Sequence, residues 1–269
     1  MTVLTIPAQQ ARDAALRPLP WRRMAWVTWR QHRPTLISVP AVLGAVAVFL
    51  WIAGLRIHRD YATLIACHPF SSDACQSLNS SFDNTDWTIG NTINILLNLF
   101  PPLIGAFAGA PVLARELETG TFRYAWTQGY GRSRWTIAKL ALLAVAVTVT
   151  AWAFTQVFAR FYQPFLARED MTILNATVFG THGIAFAAWT LAAFTIGAFS
   201  GMLIRRVVAA MAVTLGVYLG LNLLTWLVLR PHYPVSGFWP MQFVEAGWLL
   251  VLSAAFIAGT VWLVRRRAV

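Results

Sequence analysis

The sequence predicts an all-α polytopic membrane protein with six transmembrane helices. Hydrophobic residues make up 58% of its 269 residues and charged residues only 12%, a balance too apolar for an ordinary water-soluble domain. Six stretches without Asp, Glu, Lys or Arg are each long enough to cross a hydrocarbon core of about 30 Å as a helix. Thirteen tryptophans fit the enrichment of aromatic rings at membrane interfaces.

The chain divides into a short tail and one membrane domain. Residues 1–20 contain prolines and glutamines but no long apolar run, which predicts a mobile tail. Residues 21–267 are predicted to form a single domain, with spans at about 35–55, 90–113, 140–159, 182–204, 207–229 and 246–264.

Two segments outside these spans also carry a pattern. From Trp21 to Arg33, most apolar residues gather on one side of a helical wheel and the arginines elsewhere, which predicts a helix at the cytoplasmic interface. A simple basic flank is the alternative. The segment from Arg230 to Glu245 is rich in proline and glycine, and we expect it to be too short and broken to cross the membrane.

The distribution of basic residues predicts the orientation. If both termini are cytoplasmic, the inner side holds 16 of the 21 Lys and Arg residues and the outer loops hold 5. The positive-inside rule favours this arrangement. Because the basic residues concentrate at the ends of apolar runs, membrane orientation explains the net charge of +11 better than binding to nucleic acid does.

The only two cysteines, Cys67 and Cys75, then lie in one outer loop. A pair of cysteines facing an oxidising compartment predicts a disulfide, with two reduced thiols as the alternative. His68 lies beside them, but three ligands without a fourth are a weak zinc signal, and we predict no metal site.

Polar side chains form stripes in two spans. Asn91, Asn94 and Asn98 share one face of the second span, and Tyr218 and Asn222 share one face of the fifth. Such stripes are costly against lipid, so they predict either a translocation path or hydrogen bonds between helices. Tandem prolines in the second span, Pro101 and Pro102, also predict a kink near Asn98 to Pro102.

The most charged segment between two apolar runs extends from Leu113 to Lys139. Within it, Thr121 to Gln128 are predicted to form about two helical turns between glycine hinges, with aromatic side chains on one side. Such a helix could press into a groove on a soluble partner. The alternative is an ordinary cytoplasmic loop kept basic by topology.

This segment resembles that of type-2 ABC exporter permeases. The resemblance rests on Arg115-Glu116-Leu117-Glu118-Thr119-Gly120-Thr121, followed by Gly131-Arg132-Ser133-Arg134 and Lys139. Trp29-Arg30-Gln31-His32-Arg33 is similar to an actinobacterial branch, and the likeness covers roughly Trp21 to Arg267. It implies a coupling helix that docks on an ATP-binding subunit, with coupling residues Arg115, Glu116, Glu118, Thr119, Gly120, Thr121, Phe122 and Trp126.

The resemblance further implies the permease subunit of an ATP-binding cassette exporter in the bacterial cytoplasmic membrane. A second permease, identical or related, would complete a dimer, and the substrate would be an amphipathic drug, peptide or lipid. ATP and Mg²⁺ would bind the partner, because the only lysine, Lys139, lies between Ala138 and Leu140 and does not fit a phosphate-binding loop. We therefore expect no catalytic residue, cofactor or enzymatic activity in this chain.

Three other functions are alternatives to an exporter. An ion-coupled carrier is disfavoured because the six apolar runs lack ionisable interior residues. A membrane-embedded enzyme is disfavoured because no pair of metal ligands occurs at helical spacing. A non-transporting sensor or resistance subunit of an ABC complex stays open.

Overall fold

A computed structural model describes residues 21–120, 132–168 and 173–267 of the chain. All the secondary structure in these ranges is helical. Within them, six helical stretches are long and apolar enough to cross a membrane, which confirms the predicted number of spans. Spans 1 to 6 are Leu36–Ala66, Asp73–Thr119, Ser133–Leu166, Ala185–Ile204, Val207–His232 and Phe238–Arg266. We call the ends predicted to be cytoplasmic the inner ends and the opposite ends the outer ends.

Span 1 belongs to one continuous helix, Trp21–Ala66. Pro34 and Pro40 lie inside this helix without ending it, so no break separates residues 21–33 from the span. The helix also continues past Leu55, where the predicted span ends. Its outer part therefore extends beyond the apolar run.

Span 1 packs against span 3, the helix Arg132–Leu166, along a row of residues spaced seven apart, which we call the sevenfold seam. Every seventh residue of span 1 in this seam is buried, namely Leu36, Leu43, Leu50, Ile57 and Leu64. They join the same core cluster as Leu143, Phe154, Phe158 and Phe161 of span 3. A strict seven-residue repeat is the pattern of left-handed helix packing. The lengths of the apolar runs do not reveal this repeat.

Span 2 consists of successive helical segments. They are Asp73–Ser81, the π-helical Phe82–Trp87, Thr88–Leu97, Phe100–Ile104, the π-helical Gly105–Gly109 and Pro111–Thr119. The interruption at residues 98–99 falls where the tandem prolines predict a kink. Pro101 and Pro102 begin the next segment because their missing N–H groups cost no hydrogen bond in a first turn.

Span 4 is the central helix, Ala185–Ile204, and most of its side chains are buried. It meets span 2 through glycines on both helices. A Cβ atom built on Gly197 would lie 2.3 Å from the carbonyl oxygen of Gly105, and one on Gly201 would lie 2.4 Å from that of Ala110. Since no Cβ tolerates such distances, the two backbones touch only because these residues are glycine.

The outer ends of spans 5 and 6 correct a sequence-based prediction. Span 5 comprises Val207–Leu224, the π-helical Thr225–Leu229 and one 3₁₀ turn, Arg230–His232. Span 6 then begins at Phe238, not at residue 246, and continues to Arg267 as one helix. Pro240 lies in its first turn, where proline is tolerated, so this proline marks a helix start and not a broken loop.

Candidate functional site

At the inner end of span 2, a buried ion pair joins span 2 to span 3. Lys139 is fully buried, and its Nζ donates hydrogen bonds to Glu116 Oε1 at 2.6 Å and to the Val112 carbonyl oxygen at 2.7 Å. A buried ammonium is costly unless it is paired, so Lys139 needs this carboxylate. The pair therefore fixes the last turns of span 2 against the first turns of span 3.

Glu118 joins the same end of span 2 to span 5. Its Oε2 accepts a hydrogen bond from the backbone N–H of Val207 at 3.1 Å. Val207 begins the helix of span 5, and the preceding residue, Arg206, makes no side-chain cap of its own. A carboxylate at a helix N-terminus satisfies a free N–H group and interacts favourably with the helix dipole. Glu118 thus caps span 5 from a different helix.

The last turn of span 2 ends at Gly120, which has the left-handed φ of +71° that glycine adopts readily. Just before it, Thr119 Oγ1 donates a hydrogen bond to the Arg115 carbonyl oxygen at 2.8 Å. At the start of span 3, Ser133 Oγ accepts a hydrogen bond at 2.9 Å from Nε of Arg265, which lies at the inner end of span 6. The predicted coupling residues Thr121, Phe122 and Trp126 lie outside the described residues.

These contacts surround the segment of residues 120–131 on both sides. Glu116 ties its start to span 3, Glu118 ties it to span 5, and Ser133 ties its end to span 6. A displacement of the segment would therefore act on four helices together. Of the coupling residues implied by the resemblance, the structure gives Glu116 and Glu118 contacts with other spans.

The outer end contains a second, larger polar cluster around Glu245 of span 6. Glu245 is fully buried, and Arg230 donates to both of its carboxylate oxygens at 2.8 Å. Trp189 donates to one oxygen at 2.7 Å and Tyr233 to the other at 3.3 Å. Burial raises the pKa of Tyr233 to about 12, which keeps its hydroxyl protonated as a donor. Tyr218 lies edge-on against the Trp189 ring, with the ring centres 5.3 Å apart.

Glu245 lies just outside the apolar run of residues 246–264, but the helix of span 6 begins at Phe238 and includes it, so span 6 carries a buried ionisable residue. Its oxygens already accept four hydrogen bonds, two at each oxygen. The carboxylate is therefore occupied by protein donors and is not poised to bind a coupling ion.

Gln242, one helical turn before Glu245, secures the outer loop that precedes span 4. Its Oε1 accepts from the Ala185 N–H at 2.7 Å, and its Nε2 donates to the carbonyl oxygens of Phe179 and His182 at 3.0 and 3.2 Å. A buried amide with its polar atoms paired in this way orients the helices it joins.

The asparagine stripe of span 2 meets this same loop. Asn94 is fully buried, and its Oδ1 accepts from Thr181 Oγ1 at 2.6 Å. Asn98 Nδ2 donates to the carbonyl oxygens of Asn94 and Thr177 at 2.8 and 3.2 Å. Asn91, like Asn222 of span 5, is partly exposed. Asn94 and Asn98 thus hydrogen-bond the outer loop, and a role in a translocation path stays a prediction.

His182 lies in the same outer loop and is almost fully buried. Burial lowers the pKa of its imidazole from 6.5 to about 4, and the hydrogen bond to the Val178 carbonyl oxygen acts in the opposite direction. The neutral form of His182 therefore suits this fold at neutral pH.

The outer turn between spans 1 and 2 contains a disulfide between Cys67 and Cys75. Nearby, Arg168 forms an ion pair with Asp83 at 2.5 Å and lies over the Phe82 ring. In the described part of the chain, no group of three or more His, Cys, Asp or Glu side chains is arranged to hold a metal ion.

The buried partners of Lys139 and the polar cluster around Glu245 are not among the sequence-based predictions, although each has a signal in the sequence. Lys139 is the only lysine and lies among apolar residues at the start of a span. An ammonium group in apolar surroundings needs an acidic partner. Gln242 and Glu245 are spaced three apart, on one face of a helix. The neighbouring prolines indicate a loop, so the sequence does not predict that these two residues share a helix face.

A family model described as ABC-2 membrane transporter related matches residues 40–230. The matched range extends from span 1 to the outer end of span 5 and includes the whole junction between spans 2 and 3. No curated protein and no solved structure matches the chain.

Proposed function

The chain belongs to the ABC-2 membrane transporter related family, and from this premise we propose that it is the permease subunit of an ATP-binding cassette exporter. A separate ATPase subunit binds ATP and Mg²⁺ and docks on residues 115–126. Two permease chains, identical or related, form the membrane part of the complex. The complex resides in the bacterial cytoplasmic membrane and exports an amphipathic or hydrophobic drug, peptide or lipid-like substrate.

The observation that carries this proposal is the buried ion pair between Lys139 and Glu116, which lies within the docking segment of residues 115–126. An ATPase that moves the segment must transmit its motion into the membrane. Because Glu116 and Lys139 form a short ion pair with Lys139 out of contact with water, motion of the segment moves spans 2 and 3 together. The contact of Glu118 with Val207 extends the motion to span 5.

The sidedness of the chain supports the same assignment. The disulfide between Cys67 and Cys75 lies at the end opposite the docking segment, as expected when that end faces an oxidising compartment. The excess of basic residues lies at the segment's own end. An intracellular ATPase therefore has access to the segment.

The test separates docking from transmission in the complex purified from its source cells. Trp126→Ala and Phe122→Ala should reduce recovery of the ATPase, because these aromatic side chains are proposed to bind it. Lys139→Met should leave the ATPase bound but lower ATP turnover by the complex about tenfold, equal to about 1.4 kcal/mol of coupling. Arg56→Gln, a loss of one charge at the outer end, is the control and should change neither quantity.

Labelling of single cysteines provides the outcome that would refute the proposal. Both native cysteines are in the disulfide and do not react with a maleimide, so labelling reports the introduced cysteine. Gln128→Cys should react with a membrane-impermeant maleimide only after the cells are permeabilised, whereas Ser71→Cys should react in intact cells. Labelling of Gln128→Cys in intact cells would place the segment outside and overturn the assignment.

A further inference from the structure

A cleft between the outer halves of spans 1 and 3 has the features of a lipid site. Its volume is about 140 Å³, and it is lined by Leu50, Trp51, Gly54, Leu55, His58, Val157, Arg160 and Phe161. The cleft lies beside the sevenfold seam, and Leu50 of that seam lines it together with Phe161. Gly54 forms part of its wall, and a Cβ atom built there would contact the Phe161 side chain at 3.5 Å.

The depth of the cleft coincides with the boundary between hydrocarbon and lipid headgroups. The charge-free run of span 1 ends at Leu55 and that of span 3 ends at Ala159, so Arg56 and Arg160 are the first charges on the outer side. Trp51 lines the cleft and is about half exposed. Tryptophan concentrates at this depth because its ring is apolar and its N–H is polar.

The two ends of the cleft differ in chemistry. Leu50, Trp51 and Val157 line it with apolar surface, whereas His58 and Arg160 line its outer end. Arg160 is exposed and forms none of the ion pairs found among the described residues. By contrast, Arg56, on the same level, is balanced by Asp60 at 3.4 Å. Among the described residues, the cleft therefore combines a guanidinium outside any ion pair with an apolar lining.

His58 holds the two walls of the cleft together. Its Nε2 lies 2.8 Å from the backbone carbonyl oxygen of Arg160. A carbonyl oxygen only accepts hydrogen bonds, so Nε2 of His58 carries the proton of this bond. The bond uses the backbone of Arg160 and leaves its side chain available to a ligand.

We propose that this cleft binds one outer-leaflet phospholipid, with its phosphate against Arg160 and one acyl chain along Trp51 and Val157. A guanidinium pairs strongly with phosphate oxygens, and the apolar walls match a hydrocarbon chain. The bound lipid would be a fixed component that fills the gap between spans 1 and 3, not transported cargo. The lipid site requires only that the six spans lie in a bilayer. A test of this site is therefore independent of the proposed ATPase partner.

The test is a lipid titration of the full chain in maltoside micelles, read by native mass spectrometry. Dioleoyl phosphatidylglycerol should bind at one saturable site. Glycerol 3-phosphate, which lacks the chains, and dioleoylglycerol, which lacks the phosphate, should not compete with it. Arg160→Gln should raise the half-saturating concentration about fivefold, as expected for one cation at a membrane surface. Arg160→Lys, which keeps the charge, should change it less than twofold.

Arg56→Gln is the matched control, since it removes one charge at the same level outside the cleft, and it should leave the titration unchanged. Val157→Trp fills the cleft without altering any charge and should also weaken binding, which provides a second variant if Arg160→Gln folds poorly. The proposal is overturned if Arg160→Gln and Arg56→Gln weaken binding equally, or if neither Arg160→Gln nor Val157→Trp weakens it. Equal competition by glycerol 3-phosphate would also overturn it, because the site would then be a free-anion site.

Discussion

The inner and outer halves of the helix bundle are held together by different physical means. In the inner half, spans 2 and 4 touch through the backbones of Gly105, Gly109, Gly197 and Gly201. In the outer half, spans 4, 5 and 6 are joined by hydrogen bonds to Glu245 and Gln242. The inner half depends on the absence of side chains, and the outer half on the presence of specific polar ones.

This difference bears on where the bundle can move. Hydrogen bonds between buried polar groups fix both distance and direction, so a rearrangement of the outer cluster would leave charges unpaired. Glycine contacts fix only how closely two helices approach. We therefore expect motion to begin at the inner ends, where Glu116 and Glu118 connect the proposed docking segment to spans 3 and 5.

The largest expected effect comes from removing the centre of the outer cluster. Glu245→Ala removes the buried carboxylate that accepts hydrogen bonds from Arg230 and Trp189, and we expect a loss of about 4 kcal/mol in the free energy of unfolding. The measurement is reversible unfolding in mixed micelles, followed by tryptophan fluorescence.

Asp83→Ala provides the comparison at the same end of the molecule. It breaks an ion pair with Arg168 that is partly exposed to solvent, so it should cost no more than about 1 kcal/mol. Equal losses in the two variants would mean that the outer cluster is not the main connection between spans 4, 5 and 6.

A slightly smaller effect should follow from adding one methyl group to the inner contact. The Cβ atom of Gly197→Ala would lie 2.3 Å from the Gly105 carbonyl oxygen and would push spans 2 and 4 apart. We expect a loss of about 3 kcal/mol, measured in the same unfolding assay. Gly216→Ala in span 5 is the matched control, because nothing lies within 4 Å of a Cβ atom built there. Similar stability of the two variants would show that the inner contact is not close-packed.

The smallest predicted effect concerns acid sensitivity at the outer end. The pKa of His182 is about 4 in the folded state and about 6.5 when unfolded, so the unfolded state binds more protons between these values. The contribution is fully present above pH 6.5 and is lost as the pH falls towards 4. Between pH 7.5 and 4.5 we expect a loss of about 2 kcal/mol.

His182→Gln should reduce this acid-dependent loss because the variant has no imidazole to protonate. His232→Gln changes an exposed histidine at the same end and should keep the wild-type pH dependence. If His182→Gln retains the full loss between pH 7.5 and 4.5, the acid sensitivity arises from other groups.

The glycines illustrate how far sequence reasoning reaches. Gly197 and Gly201 are spaced four apart in span 4, a spacing that permits close helix contact, and the structure shows that contact. The sequence does not say which helix makes it, and Gly105 and Gly109 in span 2 carry the same spacing as Gly216 and Gly220 in span 5. Only the first pair is buried against another backbone. Equal local patterns thus have different surroundings, which depend on the arrangement of all six spans.

The candidate site shows the same limit. Sequence reasoning singled out Glu116 and Glu118 as residues facing a partner, yet the structure also connects Glu116 to Lys139 and Glu118 to Val207. These partners are 23 and 89 residues away along the chain. Spacing along one helix cannot reveal contacts at such separations, because they form only when distant helix ends meet.

The sequence by itself determined that this chain has six membrane spans, because a bilayer demands long apolar helices wherever the backbone crosses it. It also determined the position of the interruption in span 2, because proline acts on its own helix. Only the tertiary structure decided which charges are buried, and with which partners. Lys139 and Glu245 tolerate burial because folding brings Glu116 to one and Arg230 to the other, at distances that local sequence does not encode.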